Sequence, residues 1–296
     1  MRKANLGRVV FILLSLLAIG QQLSAQGIKY NNFHWTYGRH NAGGIGAEGT
    51  SFTAITRLES DTVTAYTAFS APIKPLRSAF GFYANHTAPL TSKQAWADAG
   101  LSYALVLPLN DYSSFRLGVQ QNWHRRSRQE IKPTDLWIGN QADSMFSSTD
   151  FSAFLKRDHL MLGLSAEDAL NSSNRNYHLL LGFRELNTNE WLKSSPFFAM
   201  SFLPGREVPE FRLNYSATLG NTLMLGGTLY KNTEQLFGIN GGIKLFNSLY
   251  LNGAFEYNSL QIKPDAIELG LRLNLGKNRI RCRTEQFEAY DRWAEE

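Results

Sequence analysis

Residues 266–275 read Ala-Ile-Glu-Leu-Gly-Leu-Arg-Leu-Asn-Leu. Ile267, Leu269, Leu271, Leu273 and Leu275 share one parity, while Ala266, Glu268, Gly270, Arg272 and Asn274 share the other. Side chains of a strand alternate between two faces, whereas a helix would scatter these leucines around its circumference. The stretch is therefore a β-strand with one apolar and one polar face.

The same alternation recurs upstream. Ala97, Ala99, Leu101, Tyr103, Leu105 and Leu107 alternate with Asp98, Gly100, Ser102 and Ala104, and Phe115, Leu117 and Val119 with Arg116, Gly118 and Gln120. Phe237, Ile239, Ile243 and Leu245 oppose Gly238, Asn240, Gly242 and Lys244. Fainter copies lie around Tyr177–Arg184, Phe211–Ser216 and Leu223–Leu229. Together they predict strands at 50–58, 62–71, 78–86, 95–107, 113–125, 150–156, 159–168, 175–184, 191–202, 209–218, 221–230, 234–245, 248–257 and 265–275. The count, about fourteen, is even, as in bacterial outer-membrane barrels with both termini in the periplasm.

Connection lengths support a barrel. Such barrels have short periplasmic turns and longer external loops. With the first strand running outward, one side receives Pro72–Leu76, Asn110–Ser113, Arg157–Asp158, Leu186–Asn189, Gly220–Asn221 and Asn247. The other receives the long segment Arg126–Thr149, the loop at 204–209 and Ser259–Pro264. In a membrane barrel the apolar face points outward and the lumen is polar, which assigns Arg116, Asn240, Lys244, Glu268 and Arg272 to the interior. Trp123, Phe183, Phe202, Tyr230 and Tyr257, near strand ends, suit interfacial aromatic girdles.

The chain's N-terminus reads as an export signal. Arg2, Lys3 and Arg8 precede the apolar run Val9–Leu14 and its continuation to Gly20, and Leu23-Ser24-Ala25 offers small residues before Gln26. This is the pattern of a signal peptide at 1–25, cleaved between Ala25 and Gln26. The only thiol is Cys282, so no disulfide forms within the chain. Net charge is +5 with pI near 9.2, spread along the chain and not gathered into a nucleic-acid-binding stripe. Mean hydropathy is −0.27, and nothing after the signal reads as a spanning helix. Only helices and closed barrels satisfy backbone polar groups in lipid. The expected organisation is an N-terminal periplasmic or lumenal segment (26–49), an all-β transmembrane outer-membrane barrel (50–275) and a charged periplasmic tail (276–296), in which Phe287, Tyr290 and Trp293 have helical spacing.

Motifs for chemistry are sparse. His34, His40, His86, His124, His159 and His178 lie singly, with no H-x-H or HExxH spacing, so the sequence predicts neither a metal site nor another cofactor. No G-x-S-x-G elbow marks a nucleophile, and no catalytic residue is expected. The glycine-rich Asn41–Ala47 lacks the Lys-Ser/Thr ending of a phosphate loop and reads as a turn into the first strand. The basic run His124-Arg125-Arg126-Ser127-Arg128 falls near the outside, where arginines suit lipopolysaccharide phosphates or simply line a solvated loop.

Several segments, in this order, resemble the PorP/SprF family of type IX secretion system membrane proteins. They are Tyr30-Asn31-Asn32 to Asn41-Ala42-Gly43-Gly44, like the family's Asn-Pro-Ala-Tyr-Ala-Gly opening; Thr67–Ile73; Ala79–Tyr83; Gly100–Leu109; Phe115–Gln120; His159–Ser165; and Ala266–Leu275. Two departures stand out. The opening lacks the proline, and the family's Arg-Lys-Gln-Trp element is reduced to Thr56-Arg57-Leu58-Glu59. The resemblance implies a non-catalytic outer-membrane barrel that helps secrete or attach particular client proteins. Its implied partners are the type IX machinery, the clients' C-terminal domains, and outer-membrane lipid and lipopolysaccharide. The competing expectation is an outer-membrane pore for small solutes.

Overall fold

In the computed structural model the described residues are Tyr30 and 33–276, except 91–93, 111, 129–143, 172–174, 185, 190, 205–208, 221, 232–234, 247 and 259–262. The signal at 1–25, its cleavage point at Ala25–Gln26, and the tail beyond Gly276 lie outside them. A helix α1 (Phe33–His40) and a 3-10 turn (Ala42–Gly44) precede the strands. These are β1 (Thr50–Glu59), β2 (Thr62–Ile73), β3 (Ser78–Pro89), β4 (Gln94–Asn110), β5 (Ser113–Arg128), β6 (Ser144–Arg157), β7 (Leu160–Glu167) and β8 (Asn176–Phe183). They continue as β9 (Leu186–Asn189), β10 (Leu192–Phe202), β11 (Glu210–Leu219), β12 (Leu223–Lys231), β13 (Gln235–Leu245), β14 (Leu249–Asn258) and β15 (Lys263–Gly276).

With the short β9 set aside, each strand pairs antiparallel with the next in the chain, and β1 pairs with β15, so the sheet closes on itself. The short β9 continues the line of β8, since both pair with β10, at Leu192–Ser194 and at Phe197–Phe202 respectively. The result is a closed barrel of fourteen staves, each matching a strand expected from alternation. Closure leaves no unpaired sheet edge, a requirement of backbone in lipid. Among the described residues no helix is long and apolar enough to cross a membrane.

The faces are assigned by exposure. On β15, Ile267 and Leu269 are 49% and 66% exposed, whereas Glu268 is 0% and Arg272 3% exposed. Leu101, Tyr103, Leu105 and Leu107 likewise project outward from β4, and Phe237, Ile239 and Ile243 from β13. The barrel is thus apolar outside and largely polar inside, the arrangement a lipid solvent imposes. Of the expected girdle residues, Phe183 and Phe202 do face outward. Tyr230 does not: its hydroxyl donates to Glu210 and its ring lies under the Arg212 guanidinium, because it shares the inward parity of Met224 and Thr228.

The connections sort by end. One end carries 129–143, 168–175 and 203–209; the other carries 74–77, 111–112, 158–159, 190–191, 220–222 and 246–248. Several of these tight turns hold a residue in the left-handed region, among them Arg77, Asp158, Gly220 and Phe246. Tyr112, Trp191 and Phe246 stand exposed at this short-turn end. Three expectations need correction. Leu186–Asn189 is strand β9 and not a turn, since it adds pairing at the end of the β8–β10 hairpin. The loop expected over 126–149 is shorter, because β5 and β6 extend their ladder to Arg126↔Ser144. The basic run 124–128 accordingly lies on β5. The long-loop end also holds short links, at 60–61, 90–93, 232–234 and 259–262.

Candidate functional site: a barrel lumen occupied by the N-terminal segment

Residues 33–49 lie inside the barrel. Trp35, Thr36, Tyr37 and the stretch His40–Ala47 are buried against the inner wall. The segment spans the lumen: the Trp35 ring meets Tyr250 of β14 edge-on at 6.4 Å, while Tyr37 stacks on Phe154 of β6 on the opposite side at 5.9 Å. Apolar contacts form where the segment touches the wall. Tyr37 and Ala47 pack with Phe154, Met161, Leu180, Phe197 and Ala199, and Ile45 packs with Ala79 and Ala104. Burying such side chains contributes roughly 1.5–3 kcal/mol each for the large ones.

Polar wall groups satisfy the segment's backbone. Gln120 Nε2 donates to Arg39 O at 2.8 Å, Arg116 Nη1 to Ile45 O at 2.7 Å and Lys156 Nζ to Ala47 O at 2.7 Å. The first of these meets a carbonyl in the last turn of α1, where no partner exists within the helix. The amide of Gly43 donates to Ser152 Oγ at 2.8 Å, and Asn41 Nδ2 reaches the carbonyls of Ala153 and Leu164. Buried amides and carbonyls without such partners would cost about 1–3 kcal/mol each.

Charge pairing fixes the segment at two levels of the barrel. Towards the long-loop end, Arg39 Nη2 lies 3.4 Å from Asp98, and His40 Nδ1 lies 2.8 Å from Glu167 Oε1. Burial pushes the His40 imidazole below its usual pKa, against the pull of the Glu167 carboxylate. Towards the short-turn end, Glu48 pairs with both Arg184 and Arg272. Tyr30 is buried beside Tyr66, its hydroxyl donating to Asn85 at 2.7 Å. Elsewhere on the inner wall, Arg57 pairs with Glu59, Glu256 and Glu268, so this buried charge meets its counterions on the wall itself.

Glycines make room for this packing. A Cβ on Gly118 would sit 2.2 Å from the Gly43 nitrogen and 2.5 Å from the Ala42 carbonyl carbon. Both atoms are backbone, so no side-chain rotation relieves the clash. Gly118→Val is therefore expected to lift the 42–44 turn off the wall, at a cost of about 1–3 kcal/mol or more. Limited proteolysis of the folded, detergent-solubilised barrel checks this: the variant should be cut within 33–49 while the wild type resists.

One arrangement has no counterpart in the spacing of the histidines along the chain. His40 on α1 and His178 on β8 both approach the carboxylate of Glu167 on β7, at 2.8 and 3.1 Å. The other described histidines are dispersed: His124 contacts Asp98 and stacks on Phe146, His159 contacts the Arg184 carbonyl, and His86 faces outward. The arrangement as a whole is that of a barrel whose lumen holds its own N-terminal segment and whose outer face is apolar.

The family model described as type IX secretion system membrane protein PorP/SprF matches residues 45–266. The match spans β1 to the start of β15 and includes the last turn of the lumenal segment, but not α1. No curated protein matches the chain. Among solved structures, the KdgM porin aligns with 76% of this chain and 99% of its own at 13% identity and a TM-score of 0.40. The Acinetobacter baumannii outer membrane protein Omp33 aligns with 77% of this chain and 98% of its own at 7% identity and a TM-score of 0.47.

Proposed function

The chain belongs to the PorP/SprF family of type IX secretion system membrane proteins, and from that premise we propose that it is an outer-membrane barrel that assists secretion or surface attachment of specific client proteins. The observation that carries the mode of action is the occupied lumen. A segment held by Glu167 at one level and by Arg184 and Arg272 at another fills the space a solute would need. A barrel so filled serves as a rigid platform in the membrane, and its recognition surfaces are its rims and outer wall.

In this reading the short-turn end faces the periplasm and meets the type IX machinery. The long-loop end faces outward, where the client's C-terminal domain and lipopolysaccharide are met. Export requires the signal at 1–25 with cleavage between Ala25 and Gln26. No step in this role calls for bond-making by the protein, so the barrel acts without catalysis.

The experiment is a comparison of the surface and secreted proteomes of a deletion strain and its parent, with outer-membrane fractionation of the protein. The expected result is loss of a small set of exported proteins, restored by the wild-type gene, with the barrel in the outer-membrane fraction. An unchanged exported proteome accompanied by altered solute uptake would overturn the proposal in favour of a pore.

A further inference from the structure

We propose that His40, Glu167 and His178 form a binding site for a late first-row divalent cation of the zinc type, which staples the N-terminal segment to the barrel wall. The three residues come from different parts of the fold: the end of α1, the end of β7 and the body of β8. One donor atom from each lies within 4.8 Å of the others. Zinc bonds to nitrogen and oxygen of about 2.0–2.2 Å set neighbouring donors about 3.4 Å apart, so modest side-chain rotation closes the shell. Two imidazoles and one carboxylate, with water in the fourth place, suit zinc, cobalt or nickel and not the all-oxygen shells of calcium or magnesium.

Three further observations point to a ligand. Both rings are buried, at 7% and 5% exposure, and the Nε2 atom of His178, 3.1 Å from Glu167, makes no well-aligned hydrogen bond. A buried nitrogen left so costs free energy that a bound cation would recover. The outer shell is also in place: His178 Nδ1 lies 2.8 Å from Ser201 Oγ, the kind of contact that fixes the tautomer of a metal-bound histidine and leaves Nε2, which faces Glu167, for the metal. Finally, further carboxylates stand close by. Asp98, Asp150 and Asp168 line the same cavity as His40 and Glu167, and Arg39, the cation next to His40 on α1, is paired with Asp98. A polar cleft lined by His40, Glu167, Asp98, Asp150 and Arg125 gives an approach from the long-loop end.

The test uses the mature full chain, untagged, folded in detergent and stripped of metal. Titration with cobalt(II) chloride should give the visible absorption of a four-coordinate site at one ion per chain, and zinc chloride should displace it. Glu167→Gln and His178→Gln, each shown to retain heat-modifiable migration, should weaken zinc binding more than about 100-fold. At protease levels high enough to cut metal-free wild type within 33–49, zinc should also slow that cleavage in the wild type and not in the variants. Absence of the cobalt spectrum in folded wild type would overturn the proposal, as would zinc affinity unchanged by both substitutions. The first of these needs no variant, so a failure of the substituted proteins to fold leaves the test intact.

Discussion

Glu48→Ala is expected to cost about 3 kcal/mol and to loosen the lumenal segment at its short-turn end. Glu48 pairs with Arg272, whose side chain is 4% exposed, and with Arg184. Deleting one member of a buried pair typically costs about 3–5 kcal/mol, because the remaining charge stays desolvated without its counterion. Arg184 is 23% exposed and recovers part of its hydration, which places the value at the lower end of that range. Equilibrium unfolding in detergent or lipid measures the loss, and proteolysis at 33–49 locates it. A Glu48→Ala protein as stable and as resistant as the wild type would show that the ion pair does not anchor the segment.

The second large effect concerns the outer wall. Ile239 is 68% exposed near the middle of β13. In water, replacing such a residue would change stability by no more than about 0.5 kcal/mol. In a bilayer the same position faces hydrocarbon near the midplane, where arginine costs about 2–4 kcal/mol. Ile239→Arg, compared by reversible unfolding from lipid vesicles, is therefore expected to lose about 2–4 kcal/mol. A loss under about 0.5 kcal/mol would mean that this face does not contact lipid.

Alternation was legible because the outer face answers to one solvent all round. Every outward position from Leu101 to Leu275 meets the same requirement, so the period-2 signal repeats and marks all fourteen staves. The inner face has no single solvent. Where the lumenal segment covers it, it is apolar, as at Phe154, Met161, Leu180 and Phe197, and the alternation fades into runs such as Leu179-Leu180-Leu181. A strand apolar on both faces is one covered on both sides. Those runs held the signal of an occupied lumen, but their partner, 33–49, carries no pattern that names its place.

The glycines tell a similar story. Gly118 and Gly163 read in sequence as small members of a polar face, whereas in the fold they leave space for Gly43 and Asn41. The histidine cluster was illegible for a different reason. His40 and Glu167 stand 127 positions apart, and only barrel closure around the segment joins them. Spacing rules for metal ligands detect sites built within one local element, and this cluster draws on three.

In the proposed role the barrel, its lumen held by its own N-terminal segment, works by docking and conducts no solute. The most direct measurement is the ionic conductance of the purified, full-length mature protein inserted in a planar bilayer, alongside Gly118→Val. The wild-type barrel should be silent and the variant should show channel openings, as the 42–44 turn leaves the wall. Stable, porin-sized open currents from the wild-type protein would contradict it.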